Sequence, residues 1–552
     1  MSNSLFSQDL EQIKKQKPFT ITGGVNLQGQ IYSMGGAPPR QPWNSYVLSG
    51  TPTLNVYGIQ LPFSFTLSNN QRDFRQPFNQ IGVSPMYKWM KIHAGYRSVT
   101  FSQFGLAGHM ILGGGFEMTP KKFRLSVMYG RSNKAVAEDT TKTISQNLNS
   151  INYPAYKQML LAVKMGVGTA NNFFDLYFLK GKDDTTSLKV KPQKTEVLPG
   201  ENFVLGFVHK FSFFKNKLDW QSEAAGSVFT RDQSMMKYDL STVKQADLIR
   251  KIMIPNYSTT FYTAIESQVK YKHKYFSVGG KYRRIEPDYK SMGAYFFQSD
   301  LEQMTGTFTA KLFKSKLNLN GSYGIQNDNI SRKKVATTQR NIYSIVVNYI
   351  LNKHFGIDFN VSNYGTAQRA GTKSLSDTNR INQISNSYTV TPHFFFQKGN
   401  KAHSILLILG NQTLNDRNTF TSNYSEMSMI FGNLNYSLSD IEKKTAYLFG
   451  LNYNQSTTIS GEISMMGATV GTSRSFLKDK LSSDFNLVGN ITQFNGVSNG
   501  FLTTLSSGNN YTITKKQSVR LQLNWLINQS KNTAAGKSFN EFTGMIQYRY
   551  NF

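Results

Sequence analysis

The sequence predicts a transmembrane antiparallel β-barrel of a bacterial outer membrane, all-β, with about 24 strands (range 20–26). Three observations predict it. Apolar and polar residues alternate with period 2 along most of the chain. No run of about 18 apolar residues occurs, which excludes a helical membrane protein. Short lysine-bearing connections recur at regular intervals and alternate with longer, more variable ones.

The alternation is cleanest towards the C-terminus. Phe355, Ile357, Phe359 and Val361 interleave with Gly356, Asp358, Asn360 and Ser362, and Val519, Leu521, Leu523 and Trp525 with Arg520, Gln522 and Asn524. Successive strand side chains point to opposite faces, so each such segment has one apolar and one polar wall. A soluble sheet buried on one side shows the same alternation. The segments here run to about 10–15 residues, longer than ordinary globular strands and suited to a tilted membrane strand.

Taken in order, the expected strands lie near 19–34, 53–68, 87–102, 106–118, 122–132, 155–166, 172–181, 202–214, 217–230, 258–271, 275–285 and 305–313. They continue near 317–326, 338–351, 354–364, 383–397, 402–413, 425–438, 445–456, 463–477, 480–491, 499–513, 517–528 and 537–552. The region 35–105 reads least cleanly, because Pro62 interrupts a strand and 69–86 is long for a turn. From residue 215 onward the basic turns, such as Lys215-Asn216-Lys217, Lys314-Ser315-Lys316 and Lys478-Asp479-Lys480, recur at intervals of about 36 to 58 residues. Each interval holds two strands and one outer loop, and the short rim is expected to face the periplasm. Residues 1–18 read as a signal-peptide remnant and a short periplasmic segment, with Ser7 before Gln8 as a cleavage point. Residues 19–552 read as one barrel domain.

Composition agrees. Mean hydropathy is −0.40, yet Phe (40) and Tyr (29) are abundant, as in a wall whose lipid-facing and water-facing residues cancel on average. The absence of cysteine removes disulfides, iron–sulfur clusters and thiolate metal sites. The net charge of +30 is spread along the chain without a recognition helix, zinc pattern or RNA-binding motif, so nucleic acid is not expected. Lipid phosphate and lipopolysaccharide are the expected anionic partners.

The chain ends FTGMIQYRYNF, with Phe542, Gly544, Ile546, Tyr548, Tyr550 and Phe552 on one face. This resembles the C-terminal β-signal read by the barrel-assembly machinery, which the resemblance makes a partner during biogenesis. Gly544 stands farther from the terminus than in the proteobacterial pattern, which argues against a classical proteobacterial porin. The Lys/Asn/Tyr/Phe-rich style and the Phe-Ser-Gln start resemble outer-membrane proteins of Bacteroidota. The block 78–118 looks like a feature of one lineage-specific family.

No enzyme is expected: Gly-x-Ser-x-Gly, HExxH and P-loop motifs are absent, and no cofactor or metal site is read. His273 and His354 fall in tight turns and read as solvated. His93 and His109 fall on neighbouring strands and could approach each other, without a carboxylate or serine placed by sequence beside them. Gly113-Gly114-Gly115 reads as a place where a large inward side chain or a plug meets the wall.

Alternation parity sends Arg124, Lys270, Lys281, Arg283, Arg520 and Arg549 into the lumen, where they either favour anions or pair with acids such as Glu266 and Asp358. A barrel this wide needs blocking. Inward-folded loops are the expected plug, above all 231–257, where Ser241 to Arg250 reads as a capped helix. Two functions follow as expectations: a membrane platform or subunit of a secretion, assembly or uptake complex, and a stand-alone porin-like channel. The absence of a plug domain and TonB box argues against an energised transporter.

Overall fold

The computed structural model describes residues 18–57, 59–69, 79–139, 141, 153–192, 197–239, 252–294, 298–372, 376, 378, 380–531 and 537–552. The signal-remnant segment 1–17 and the helix expected over 241–250 lie outside the described residues. Every strand hydrogen-bonds antiparallel to its neighbours in one sheet, and that sheet closes on itself. The closing seam joins Gly24–Gly35 to Phe539–Asn551, from Gly24 opposite Asn551 to Gly35 opposite Asn540.

The sheet has 29 segments, but three pairs of them are single strands broken by a kink. These are Phe19–Thr22 with Gly24–Gly35, Asn44–Gly50 with Thr53–Val56, and Gln80–Val83 with Met86–Tyr87. The wall therefore has 26 strands, two more than the central expectation. At the first kink Gly23 takes φ +95°, and a Cβ there would lie 2.3 Å from the Thr51 carbonyl oxygen, so only glycine fits.

The strand count departs from the expected one before residue 106. The segment read as one strand over 53–68 is a hairpin, turning where Val56 faces Ile59. Asn44–Gly50 adds an unexpected start to its first arm. The strand read over 87–102 forms as Met90–Ser98, and an unexpected strand, Gln80–Tyr87, precedes it within the 69–86 stretch read as a turn, the two joined where Tyr87 faces Met90. The connection after Ser68 is thus at the loop rim and not a turn. Tyr57 and Lys88 take φ 46° and 50° in those turns, a conformation their side chains do not advertise. From Phe123–Asn133 to Phe539–Asn551 the twenty expected strands all form, with ends shifted by a few residues.

Both described ends of the chain, at Pro18 and Phe552, lie at the turn rim; the Phe552 amide donates to the Gly23 carbonyl at 3.0 Å. Most connections at the opposite rim are long, although 459–460 and 495–496 are as tight as any turn. Among the described residues no helix is long and apolar enough to cross a membrane. The outward series is apolar and exposed, as with Phe485, Leu487 and Ile491 in Leu481–Phe494. The inward series of that strand is Asp484, Asn486, Val488, Asn490 and Thr492. A closed wall with an apolar outside and a largely polar inside is the architecture that crosses a bilayer, since every strand amide and carbonyl is paired within the wall.

Parity makes a sharp test. Leu451→Arg, on the outward face, is expected to cost about 2–4 kcal/mol in urea titrations of vesicle-inserted protein. Thr469→Lys, facing the lumen one strand away, is expected to stay within about 0.5 kcal/mol.

Candidate functional site

The lumen is built in two unlike halves. From Leu317–Asn327 through to the closing seam, inward positions are mainly Asn, Ser, Thr, Gln and Gly. From Met110–Met118 to Leu301–Leu312 many inward positions are apolar instead: Met128, Leu160, Ala162, Leu179, Val204, Val208, Ala225, Ala264, Ile285 and Leu301, all buried. What buries them is the chain itself. Two loop-rim connections, 99–109 and 286–294, fold down into this side of the barrel and complete a hydrophobic core with Val99, Phe101, Phe104, Leu106, Tyr289 and Met292. Inward-folded loops are therefore present at 99–109 and 286–294, whereas residues 240–251 of the expected 231–257 lie outside the described residues. The described parts of that loop sit near the rim, where Ile252 O accepts from Lys180 Nζ at 2.7 Å and Met253 lies against Thr230.

One carboxylate pins the first loop. Glu223, in the middle of Leu218–Thr230, faces the lumen and is buried. It accepts from the Ser102 hydroxyl at 2.5 Å, from the Phe104 amide at 2.9 Å and the Gln103 amide at 3.3 Å, and from the Tyr177 hydroxyl at 3.2 Å. A buried carboxylate is costly unless its acceptor sites are filled, and here the loop's own backbone helps fill them. Ser102 Oγ in turn accepts from the Gly105 amide at 2.8 Å, so the loop turns tightly around its own anchor. The Tyr177 ring lies flat under this contact because its neighbour on the wall is Gly206, where a Cβ would come within 2.6 Å of the ring.

Neutral hydrogen bonds pin the second loop. Asn202 donates to Ser227 Oγ at 2.8 Å and accepts from the Met292 amide at 2.9 Å, while Ser227 donates to Lys290 O at 2.6 Å. The loops also hold each other: the Tyr289 hydroxyl donates to Phe104 O at 2.9 Å, Ser291 Oγ to Gly105 O at 2.6 Å, and the Ala107 amide to Gly293 O at 2.8 Å.

All six basic residues assigned inward occupy inward register positions, with different company. Arg124 makes a bidentate pair with buried Asp175 at 2.8 and 2.9 Å, over the Phe173 ring. Glu266 lies 3.6 Å from Arg283 and 3.9 Å from Lys281, and Arg283 also stacks on Phe104 of the plug. Lys270 stands opposite Asp219, whose carboxylate pairs with Lys272. Asp358 instead accepts from Asn348 and sits near His393. Arg520 and Arg549 form no ion pair among the described residues. Arg549 lines a cavity of about 370 Å³ with Asn26 and Gln547 beside the closing seam. The terminal residues Gly544, Ile546 and Tyr548 face outward on the strand that closes the barrel, with Tyr550 and Phe552 edge to face at its end.

His93 does not depend on His109. Its Nδ1 lies 2.9 Å from Ser84 Oγ and its Nε2 2.8 Å from Glu117 Oε1, so the fold supplies the serine and the carboxylate that spacing did not. Ser84 sits at the break between Gln80–Val83 and Met86–Tyr87 and is only 4% exposed, so the trio braces that irregular strand. The Gly113–Gly115 run makes room for the adjacent strand and for an inward side chain: a Cβ at 113 would meet Tyr129 O, and one at 115 would meet Val127 O and lie 2.7 Å from the sulfur of inward Met128. His273 and His354 are exposed in turns. No group of three or more His, Cys, Asp or Glu able to hold a metal occurs among the described residues.

No family model and no curated protein matches the chain. Among solved structures it is similar to the P pilus usher (PapC) translocation pore, at 10% identity and TM-score 0.35, over 97% of this chain and 100% of that one. It is similar to OccAB2 of Acinetobacter baumannii (10%, TM-score 0.31, 64% and 92%) and to the outer membrane protein opdK of Pseudomonas aeruginosa (10%, TM-score 0.31, 64% and 94%).

Glu223→Ala is expected to free the first loop. The lost charged hydrogen bonds contribute about 1.5–3 kcal/mol, so amide exchange at Gln103 and Phe104 should accelerate by about 10- to 150-fold, measured by mass spectrometry. A second test uses the loop rim. Asp300 pairs with Lys334 and accepts from the Ile330 amide at 2.9 Å. Burial raises the Asp300 carboxyl, and the bonds from Lys334, Ile330 and Asn329 outweigh it, leaving it below its ordinary value. Its contribution is therefore present above the unfolded pKa of about 3.9 and lost as pH falls through the lower folded value. The bond to Asp300 raises Lys334, so its share is lost only as pH rises through its folded pKa. Lys334→Ala should speed loop-rim proteolysis at pH 7 and leave it unchanged once pH falls below the folded pKa of Asp300.

Proposed function

We propose that this chain is an integral outer-membrane barrel that serves as the membrane platform or conduit subunit of a multi-protein complex. The observation that carries this reading is the division of the lumen. Barrels of about 16–18 strands leave an aqueous channel and those near 22 enclose a plugged lumen. With 26 strands this wall is wider, and its own described plug is fixed to the N-terminal side by a dehydrated core and a buried carboxylate. The opposite side presents mainly short polar groups, with scattered charges such as Asp484, Arg520 and Arg549, and such a surface suits contact with a polymer or a partner segment. In this reading the turn rim faces the periplasm, the long connections face outward, and the lipid-facing Gly544, Ile546, Tyr548, Tyr550 and Phe552 act as the signal for the barrel-assembly machinery. The chain carries out no chemistry of its own.

A stand-alone channel is the second reading, favoured by Arg520 and Arg549, which face the lumen without a neutralising acid among the described residues. Anion preference would then reside beside the closing seam.

Gentle detergent extraction of the tagged chain from native membranes, followed by mass spectrometry, separates the two. Stoichiometric partner proteins are expected. A lone barrel with steady anion-selective conductance in planar bilayers, lost in an Arg520→Gln/Arg549→Gln variant, would replace the platform reading with the channel.

A further inference from the structure

Three turns at the turn rim share one sequence and one unusual backbone. They are 214–217 (Phe-Lys-Asn-Lys), 313–316 (Phe-Lys-Ser-Lys) and 477–480 (Leu-Lys-Asp-Lys). In each, the first three residues take positive φ: Phe214, Lys215 and Asn216 at 53°, 56° and 65°; Phe313, Lys314 and Ser315 at 51°, 57° and 65°; Leu477, Lys478 and Asp479 at 52°, 54° and 69°. Left-handed backbone costs a non-glycine residue about 1–2 kcal/mol. Glycine or asparagine would remove most of that cost, and neither occupies the first position in any of the three.

The strained first residue is also open to water. Phe214, Phe313 and Leu477 are 75%, 71% and 61% exposed. Each directly follows an exposed apolar residue at the end of its strand, Phe213, Leu312 or Phe476, so the wall's apolar outside runs on into the turn. Bulky apolar groups held at backbone cost and left in water are unfavourable twice over. Something that covers them offsets both terms.

We infer that these Φ-Lys-x-Lys turns are anchors for anionic phospholipid in the leaflet around the turn rim, the apolar residue sinking into the headgroup–acyl boundary and the two lysines reaching phosphate. This rests on the membrane-barrel part of the proposed function and not on the choice between platform and channel. Interfacial aromatics and lysines whose stems lie along apolar surface while their ammonium groups reach polar layers have this division of labour. Distribution selects lipid over a protein partner. The three turns join Glu201–Phe213 to Leu218–Thr230, Leu301–Leu312 to Leu317–Asn327, and Gly461–Phe476 to Leu481–Phe494; two strands separate the first turn from the second, and six separate the second from the third. A bilayer leaflet reaches all three at once, whereas a partner docked on one side of the rim reaches the first two and leaves the third uncovered. Asp479 at the third turn is itself paired with Lys444 of the neighbouring turn, which keeps the local charge positive.

The test uses the full chain reconstituted in nanodiscs of phosphatidylcholine with or without phosphatidylglycerol, then released into detergent and read by native mass spectrometry. A lysine near an anionic surface contributes about 1 kcal/mol, or about fivefold. The wild type is expected to retain phosphatidylglycerol over phosphatidylcholine by at least that factor, and to lose the preference at high salt. Replacing Lys215, Lys217, Lys314, Lys316, Lys478 and Lys480 by Gln should abolish it while leaving the β-sheet signal and heat-modifiable migration intact. A Phe214→Gly/Phe313→Gly/Leu477→Gly variant separates anchor from mere turn: it relieves backbone strain, so it should unfold later in detergent yet be extracted from bilayers more readily. Equal retention of the two lipids, an unchanged preference in the glutamine variant, or later unfolding of the glycine variant in bilayer as well as detergent would overturn the inference. So would native extraction in which an acidic protein or lipopolysaccharide, and no phospholipid, is held through these lysines.

Discussion

The seam between Gly24–Gly35 and Phe539–Asn551 is the contact on which the rest of the molecule depends. An open sheet of this size would present two rows of unpaired amides and carbonyls to hydrocarbon, at several kcal/mol for each group. Joining the first strand to the last removes both rows at once. It also fixes parity around the ring. Once Arg549 stands opposite Asn26 and Ser518, each neighbouring strand has a determined inward face, and the register carries that choice around the ring to the apolar side of the lumen. An even number of strands then returns the chain to the rim where it began.

Closure at this width creates a problem that the N-terminal side addresses. An apolar patch on the inside of a barrel would ordinarily be hydrated and unfavourable. Here Met128, Leu160, Leu179 and Val204 are apolar because two connections fold back onto them and bury them. The cost of bringing polar backbone into that place is met by Glu223 and Asn202, which supply acceptors to the Phe104 and Met292 amides and a donor to the Lys290 carbonyl. Plug and wall are thus one core, assembled from residues far apart in sequence: Ser102 meets Glu223, and Tyr289 meets Phe104.

How much of this was legible in the sequence divides along the same line. Strands with one lipid face and one water face alternate strictly, and Leu317–Asn327 or Leu481–Phe494 can be placed almost to the residue. The plugged side was written differently. Leu160-Leu161-Ala162-Val163 and Phe203-Val204-Leu205 are continuous apolar runs, the pattern of strands buried on both faces. Read that way, they point to something apolar inside the barrel. What they cannot name is the covering segment, since Phe104 and Met292 lie in connections without periodicity. The early strands were miscounted for a related reason: the tight turns through Tyr57, inside the span read as one strand, and Lys88, after a strand read as a turn, carry left-handed backbone on side chains that do not signal it.

The same comparison bears on charge. A net charge of +30 invites a single explanation, yet the structure distributes it among unlike environments. Arg124 is neutralised by Asp175 in the wall, Arg283 is spent on Glu266 and on the ring of Phe104, and many lysines gather in the turns of one rim. Guanidinium groups make the planar, partly buried contacts that hold the plug side together. Ammonium groups on flexible stems occupy the edge, where a strongly hydrated point charge loses little by staying in water. The basic excess is therefore spread over distinct tasks: Arg124 and Arg283 pair inside the plugged half-lumen, Arg520 and Arg549 line the lumen beside the seam, and many lysines face whatever surrounds the rim.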